Sequence, residues 1–194
     1  MATRTLLRVV KAPPPVFQLR IDLLHLKPAI WRRILVPASI KLPKLHVVLL
    51  QTMGWSGGHL HEFIVGERNY GIPDPDFPGP SVEREDRVAL ASVLGGLKTF
   101  LYLYDFGDGW EHRVKVEKTL PPNPDLKSPI CLGGANACPP EDVGGPPGYH
   151  DFLDAIRDPS HEEHHDMLEW CGGHFDPTAF NITDANSFLS QIKL

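Results

Sequence analysis

Two runs near the middle of the chain constrain its fold more than any other feature. Trp110–Leu120 alternates, with Trp110, His112, Val114 and Val116 on one side and Glu111, Arg113, Lys115 and Glu117 on the other. That is the period of a strand with one face in a core. Thr99–Phe106, rich in aromatic and apolar residues, precedes it through Gly107-Asp108-Gly109, whose glycines reach the positive φ of a tight hairpin. A chain organised around such a hairpin must cover one face of a sheet.

Further elements can be read on either side. Phe17–Leu26 sets Phe17, Leu19, Ile21 and Leu23 against Gln18, Arg20 and Asp22, and Ala29–Val36 follows as a second strand closed by Pro37. Lys41–Met53 carries Leu42, Leu45, Val48, Leu49 and Thr52 on one helical stripe, with Pro43 early and Gly54 as the stop. His59–Glu67 and Asn69–Ile72 read as a strand and its return, Pro73–Pro80 as a long mobile loop, and Val88–Leu94 as a short helix. This order over 16–120 predicts an α+β fold of β-grasp, or ubiquitin-like, type: a mixed sheet packed on one main helix. Residues 1–15 read as a flexible N-terminal arm.

Past Pro121 the texture changes. Eight prolines fall within Pro121–Gly148, so that stretch is expected to be a loop without a lasting regular element. Residues 149–194 are expected to form a helical extension packed on the core. Its first helix carries Tyr149, Phe152, Leu153 and Ile156. Its second opens on a Ser160/Glu163 capping box, and its third covers Asp184–Ile192 with Thr183 as cap.

Composition excludes several functions. A formal charge of −5 repels a phosphate backbone at long range, although Lys27, Arg32, Arg33, Lys41 and Lys44 form a local basic group. No stretch approaches the roughly 20 apolar residues of a membrane span, and the N-terminus lacks the apolar core of a signal peptide. Three cysteines do not make a disulfide framework. A cytoplasmic location without membrane association is therefore expected.

The candidate site lies where Gly54–Phe63 meets Tyr104–His112. His59 and His61, two apart on the expected strand, point to one face, and Trp110 and His112 share another. If the strands are neighbours, His59, His61 and His112, with Asp105 or Asp108, converge as nitrogen and oxygen ligands for a divalent metal such as zinc. The same set can supply a general acid/base pair. The competing reading is structural: histidines ending a core face act as hydrogen-bonded spacers, and an aspartate in a hairpin caps its turn.

Other signatures carry less. His161-Glu162-Glu163-His164-His165 matches the H-E-x-x-H pattern, but it sits in a helix's first turn with no third ligand at family spacing. Cys131 and Cys138 are too far apart for a zinc knuckle. Asp105-Phe106-Gly107 has neither a glycine-rich phosphate loop nor an H-R-D segment beside it.

Several long segments resemble one known family. They are Ile30–Pro37, Met53-Gly54-Trp55 with His59–Phe63, Tyr104–His112, Cys138–Asp142 with Gly144–Tyr149, and Trp170–Pro177. Together they resemble the Ri-plasmid open-reading-frame-three-like family over about Val16 to Asn186. The resemblance implies a bacterial or archaeal protein of plasmids, chromosomes and insertion elements, sometimes labelled resolvase-like, and it transfers no catalytic residues. Serine recombination needs an activated serine among clustered arginines, and Ser39, Ser56 and Ser81 lack them.

Three functions remain in play. The first is a non-catalytic module for a protein or peptide partner, with Trp31, Trp55 and Trp110 as anchors and Arg32 and Arg33 beside them. The second is a metal-dependent hydrolase or nuclease using His59, His61 and His112 with Asp105 or Asp108. The weakest is nucleic-acid binding through the Arg32–Lys44 surface.

Overall fold

The structure, a computed structural model, describes residues 12–73 and 82–194. Most of the expected N-terminal arm and of the Pro73–Pro80 loop lies outside the described residues. Among the described residues eight strands form one sheet: β1 (Val16–Leu23), β2 (Ile30–Pro37), β3 (His61–Val65), β4 (Arg68–Gly71), β5 (Val82–Arg84), β6 (Thr99–Tyr104), β7 (Trp110–Leu120) and β8 (Ile130–Ala135). Their spatial order is β5-β4-β3-β6-β7-β1-β2-β8. Five helices among the described residues accompany them: α1 (Leu42–Met53), α2 (Leu90–Leu94), α3 (Gly145–Arg157), α4 (His164–Trp170) and α5 (Ile182–Leu189). No helix is long and apolar enough to cross a membrane among the described residues.

The mixed α+β class holds. A β-grasp as such is not established, because β1 runs antiparallel to β7 and the one parallel pair among the described strands is β4 with β5. The hairpin read from sequence is present, with Tyr102 opposite His112 and Tyr104 opposite Trp110. α1 buries the expected stripe of Leu42, Leu45, Val48, Leu49 and Thr52 and ends at Gly54, whose φ of 101° only glycine adopts readily. One apolar cluster includes Leu19, Ile21, Ile34, Val36, Phe63 and Val114 of the sheet with Leu45 and Leu49 of α1. The opposite face of the sheet is polar: Trp31 lies between Arg20 and Arg33, at 4.3 and 5.1 Å, and Arg33 pairs with Glu117.

Three expectations need correction. The Pro121–Gly148 stretch contains β8, which adds to the open edge of β2, and its last residues begin α3. An edge strand needs only one partner's backbone, so a short proline-free run between Pro129 and Pro139 suffices. Pro146 and Pro147 sit at helical positions that have no N–H partner anyway. Ser160 caps no helix: its N–H and hydroxyl both donate to Asp158 Oδ1, and α4 starts later, at His164. The third helix is capped by Asn181, whose side chain accepts from the N–H groups of Thr183 and Asp184.

α5 seals the free edge of β8. Asn186 accepts from Cys131 N–H at 2.8 Å and donates to Cys131 C=O at 3.0 Å, supplying both partners that another strand would offer. Leu189 is fully buried beside it and belongs to the same apolar cluster as α1. Asn186→Ala removes both bonds and leaves an edge group unpaired, so stability should fall by about 1–3 kcal/mol in urea denaturation.

Candidate functional site

Trp55 places the site. It follows Gly54 at the end of α1, is 3 % exposed, and packs against Tyr104, Trp110 and His112 at centroid distances of 5.3, 5.7 and 5.3 Å. Its indole N–H donates to the carbonyl of Pro139 at 2.9 Å, fixing the proline-rich segment that precedes α3. Two residues on, Glu141 turns back to the same loop: it accepts from the N–H groups of Ser56 and Gly57 and from the hydroxyls of Ser56 and Tyr104. Burial opposes ionisation of Glu141, but these donors outweigh it and hold the carboxyl below its usual range. Burial, with Glu141 alongside, pushes the Tyr104 phenol up to about 12.

Asp142 is thereby delivered to His59. His59 Nε2 lies 3.1 Å from Asp142 Oδ1, and Nδ1 lies 3.5 Å from Asp105 Oδ2. Asp105 is held first by its own turn, where Oδ1 accepts from the N–H of Gly107 at 2.9 Å. Both aspartates have left-handed backbone, with φ of 56° and 61°, a conformation that aspartate tolerates better than most residues. His59, Asp105 and Asp142 each offer a donor atom, all within 4.8 Å of one another. Among the described residues no other group of three His, Cys, Asp or Glu does so.

The remaining sequence candidates go elsewhere. His59 precedes β3 rather than lying on it, so it does not share a strand face with His61. His61 is buried, pairs with buried Glu85 at 3.0 Å and stacks on His46 of α1 at 3.6 Å. His112 is fully buried on the central strand β7, with Nδ1 3.2 Å from the Tyr102 carbonyl and Nε2 without a partner. Asp108 docks the hairpin against the start of α3: its carboxylate accepts from Gly144 N–H, and a Cβ on Gly145 would stand 2.2 Å from its carbonyl oxygen. Trp110 is core, at 1 % exposure.

The expected partner-binding residues are also committed. Arg32 is buried and donates to the carbonyls of Trp31, Thr52 and Ala135, with Phe180 stacked 4.4 Å away. Arg33 is engaged by Glu117. Lys41 and Lys44 donate to the carbonyls of Arg87 and Lys193, so the basic group of the sequence is not one free surface. Burial raises the thiols of Cys131 and Cys138, the opposite of an activated nucleophile. His161 precedes α4, so it and His165 do not stand on one helix as the H-E-x-x-H reading requires.

Beside Asp142 opens a cavity of about 360 Å³, lined by Asp142, Asp151 and Glu163 and by the apolar Val143, Phe152, Met167 and Trp170. Sequence reasoning overlooked Asp142, Glu141, Asp151 and Glu163. The available signal was the Glu-Asp pair directly after Pro139-Pro140, in a segment otherwise almost free of charge.

Comparison with known proteins settles the lineage. The family described as plasmid pRiA4b ORF-3-like protein matches residues 15–184. The chain belongs to that family. It is 42% identical over 180 residues to the uncharacterized protein y4hQ of Sinorhizobium fredii, covering 91% of this chain and 92% of that one. It is also similar to a protein of unknown function from Methanosarcina mazei Go1, MM3350, whose crystal structure matches with a TM-score of 0.79 at 36% identity. That match covers 88% of this chain and 97% of the other.

The buried histidines make stability pH-dependent. Burial depresses His112 to about 4, although carbonyl contacts partly offset it, and burial with the neighbouring His61 depresses His46 to about 3. Unfolded, both titrate near about 6.5. Between these values the unfolded chain binds the extra protons, so stability should fall as pH drops from about 6.5 to about 4. His112→Phe should flatten that decline, read as the urea midpoint at pH 7 and pH 5.

Proposed function

We propose that this protein is a non-catalytic binding module whose partner presents a lysine or arginine side chain to the cavity beside Asp142. The observation that carries this reading is the cavity wall. It combines three carboxylates, Asp142, Asp151 and Glu163, with apolar surface from Phe152, Met167 and Trp170, and among the described residues no lysine or arginine lines it. A long basic side chain has the matching construction, an apolar stem and a cationic head. Trp170 is 47 % exposed and offers its ring to a cation.

The binding surface differs from the one expected from sequence, since Trp55 and Trp110 build the core rather than meet a partner. Exposed apolar residues do flank the site: Leu60 and Phe106 directly follow His59 and Asp105 and are 51 % and 55 % exposed. They extend the contact area for a peptide or protein beyond the cavity.

A fluorescein-labelled hexalysine peptide and its hexaglutamate counterpart test the reading by anisotropy. The lysine peptide should bind, more weakly as salt rises, and the Asp151→Asn/Glu163→Gln double variant should lose roughly tenfold in affinity. Equal affinity for both peptides, or full affinity in the double variant, would overturn it.

A further inference from the structure

We propose that His59, Asp105 and Asp142 form a binding site for one divalent first-row transition-metal ion. The inference goes beyond the cavity reading: it shares Asp142 with that reading but rests on His59 and Asp105, and Asp151 and Glu163 take no part.

Charge is the first argument. Two carboxylates face one imidazole, and among the described residues neither Asp105 nor Asp142 meets a lysine or arginine within ion-pair distance. Asp105 is buried, at 7 % exposure, so its attraction for a cation is little screened by solvent. A bound dication supplies the missing charge.

Geometry is the second. Two donors at about 2.1 Å from one ion stand about 3.0–3.5 Å apart, depending on whether the angle between them is octahedral or tetrahedral. His59 Nε2 and Asp142 Oδ1 are 3.1 Å apart. Asp105 then serves as the partner behind the ring: its Oδ2 faces Nδ1 at 3.5 Å and directs Nε2 toward Asp142. Asp105 cannot drift, because its Oδ1 is occupied by the N–H groups of Gly107 and Asp108.

The third argument is how the loops are fixed. Glu141, adjacent to Asp142, is anchored by Ser56, Gly57 and Tyr104, and the segment leading into His59 is the same Ser56–Gly58 stretch. Both faces of the site are thus positioned by groups that are not ligands themselves, the preorganisation that a metal site needs. A nitrogen donor with carboxylates favours zinc, manganese, cobalt or nickel over magnesium or calcium. With so few protein ligands, the ion keeps coordination positions open on the side where Asp142 borders the cavity.

The test uses the full chain, stripped with chelator and titrated calorimetrically with ZnCl2 and with MnCl2. The histidine cluster at the start of α4 is removed by working in a His161→Ala/His164→Ala/His165→Ala background. One ion per chain is expected. Asp142→Asn should weaken binding at least about tenfold, and its exposed position makes misfolding no explanation for the loss. His59→Gln should do the same, whereas Asp151→Asn, which tests the cavity, should leave the stoichiometry at one. Absence of binding in the background protein, or binding unchanged in both the Asp142 and His59 variants, overturns the proposal.

Discussion

The contact on which the rest depends is the indole of Trp55. It follows the end of α1, covers Tyr104 and Trp110 on the central strands, and donates its one polar hydrogen to the Pro139 carbonyl. A segment as rich in proline as the one after β8 has few N–H groups with which to hold itself in place. It is fixed instead by groups of other elements: Trp55, then Ser56, Gly57 and Tyr104 through Glu141, then Asp108 through Gly144. The approach of Asp142 to His59 hangs from that arrangement.

Behind Trp55 lies an unusual core. His61 with Glu85, His46 on the Tyr102 hydroxyl, and His112 on the Tyr102 carbonyl place three imidazoles and a carboxylate among aromatic rings. An apolar core of the same volume would be at least as stable, because burying such groups is costly even when they are paired. Their hydrogen bonds are directional, so they fix the positions of α1, β3, β6 and β7 relative to one another more narrowly than packing alone. The unpartnered Nε2 of His112 is the one side-chain atom among the described residues that does not fit this account.

Much of the fold was legible because it follows from local periodicity. The hairpin of β6 and β7, the stripe of α1 and its stop at Gly54 stand where alternation and glycine chemistry put them, except that in the hairpin turn Asp105 rather than Gly107 joins Gly109 at positive φ. β8 was not legible, since an edge strand draws its order from β2 and from Asn186 rather than from its own residues. The helix caps were not legible for a related reason: Ser160 and Thr183 are good caps, but the Ser160 hydroxyl is turned onto Asp158, and Asn181, two residues before Thr183, accepts from the N–H groups of Thr183 and Asp184. At the site, His59 and Asp105 were identified as neighbours, while His61 and His112 were drawn into the core. Period 2 cannot say which end of a strand stays open.

The sequence by itself determined the α+β class, the central hairpin and the family to which the chain belongs, because each is written in contiguous residues. Tertiary structure alone decided that Asp142, more than 80 residues from His59, completes the cluster. It also decided that Trp55, Trp110 and Arg32 serve the interior. Both outcomes turn on where a proline-rich loop is fastened, and the fastening groups are single hydrogen-bond donors and acceptors scattered along the chain. No local pattern encodes their meeting.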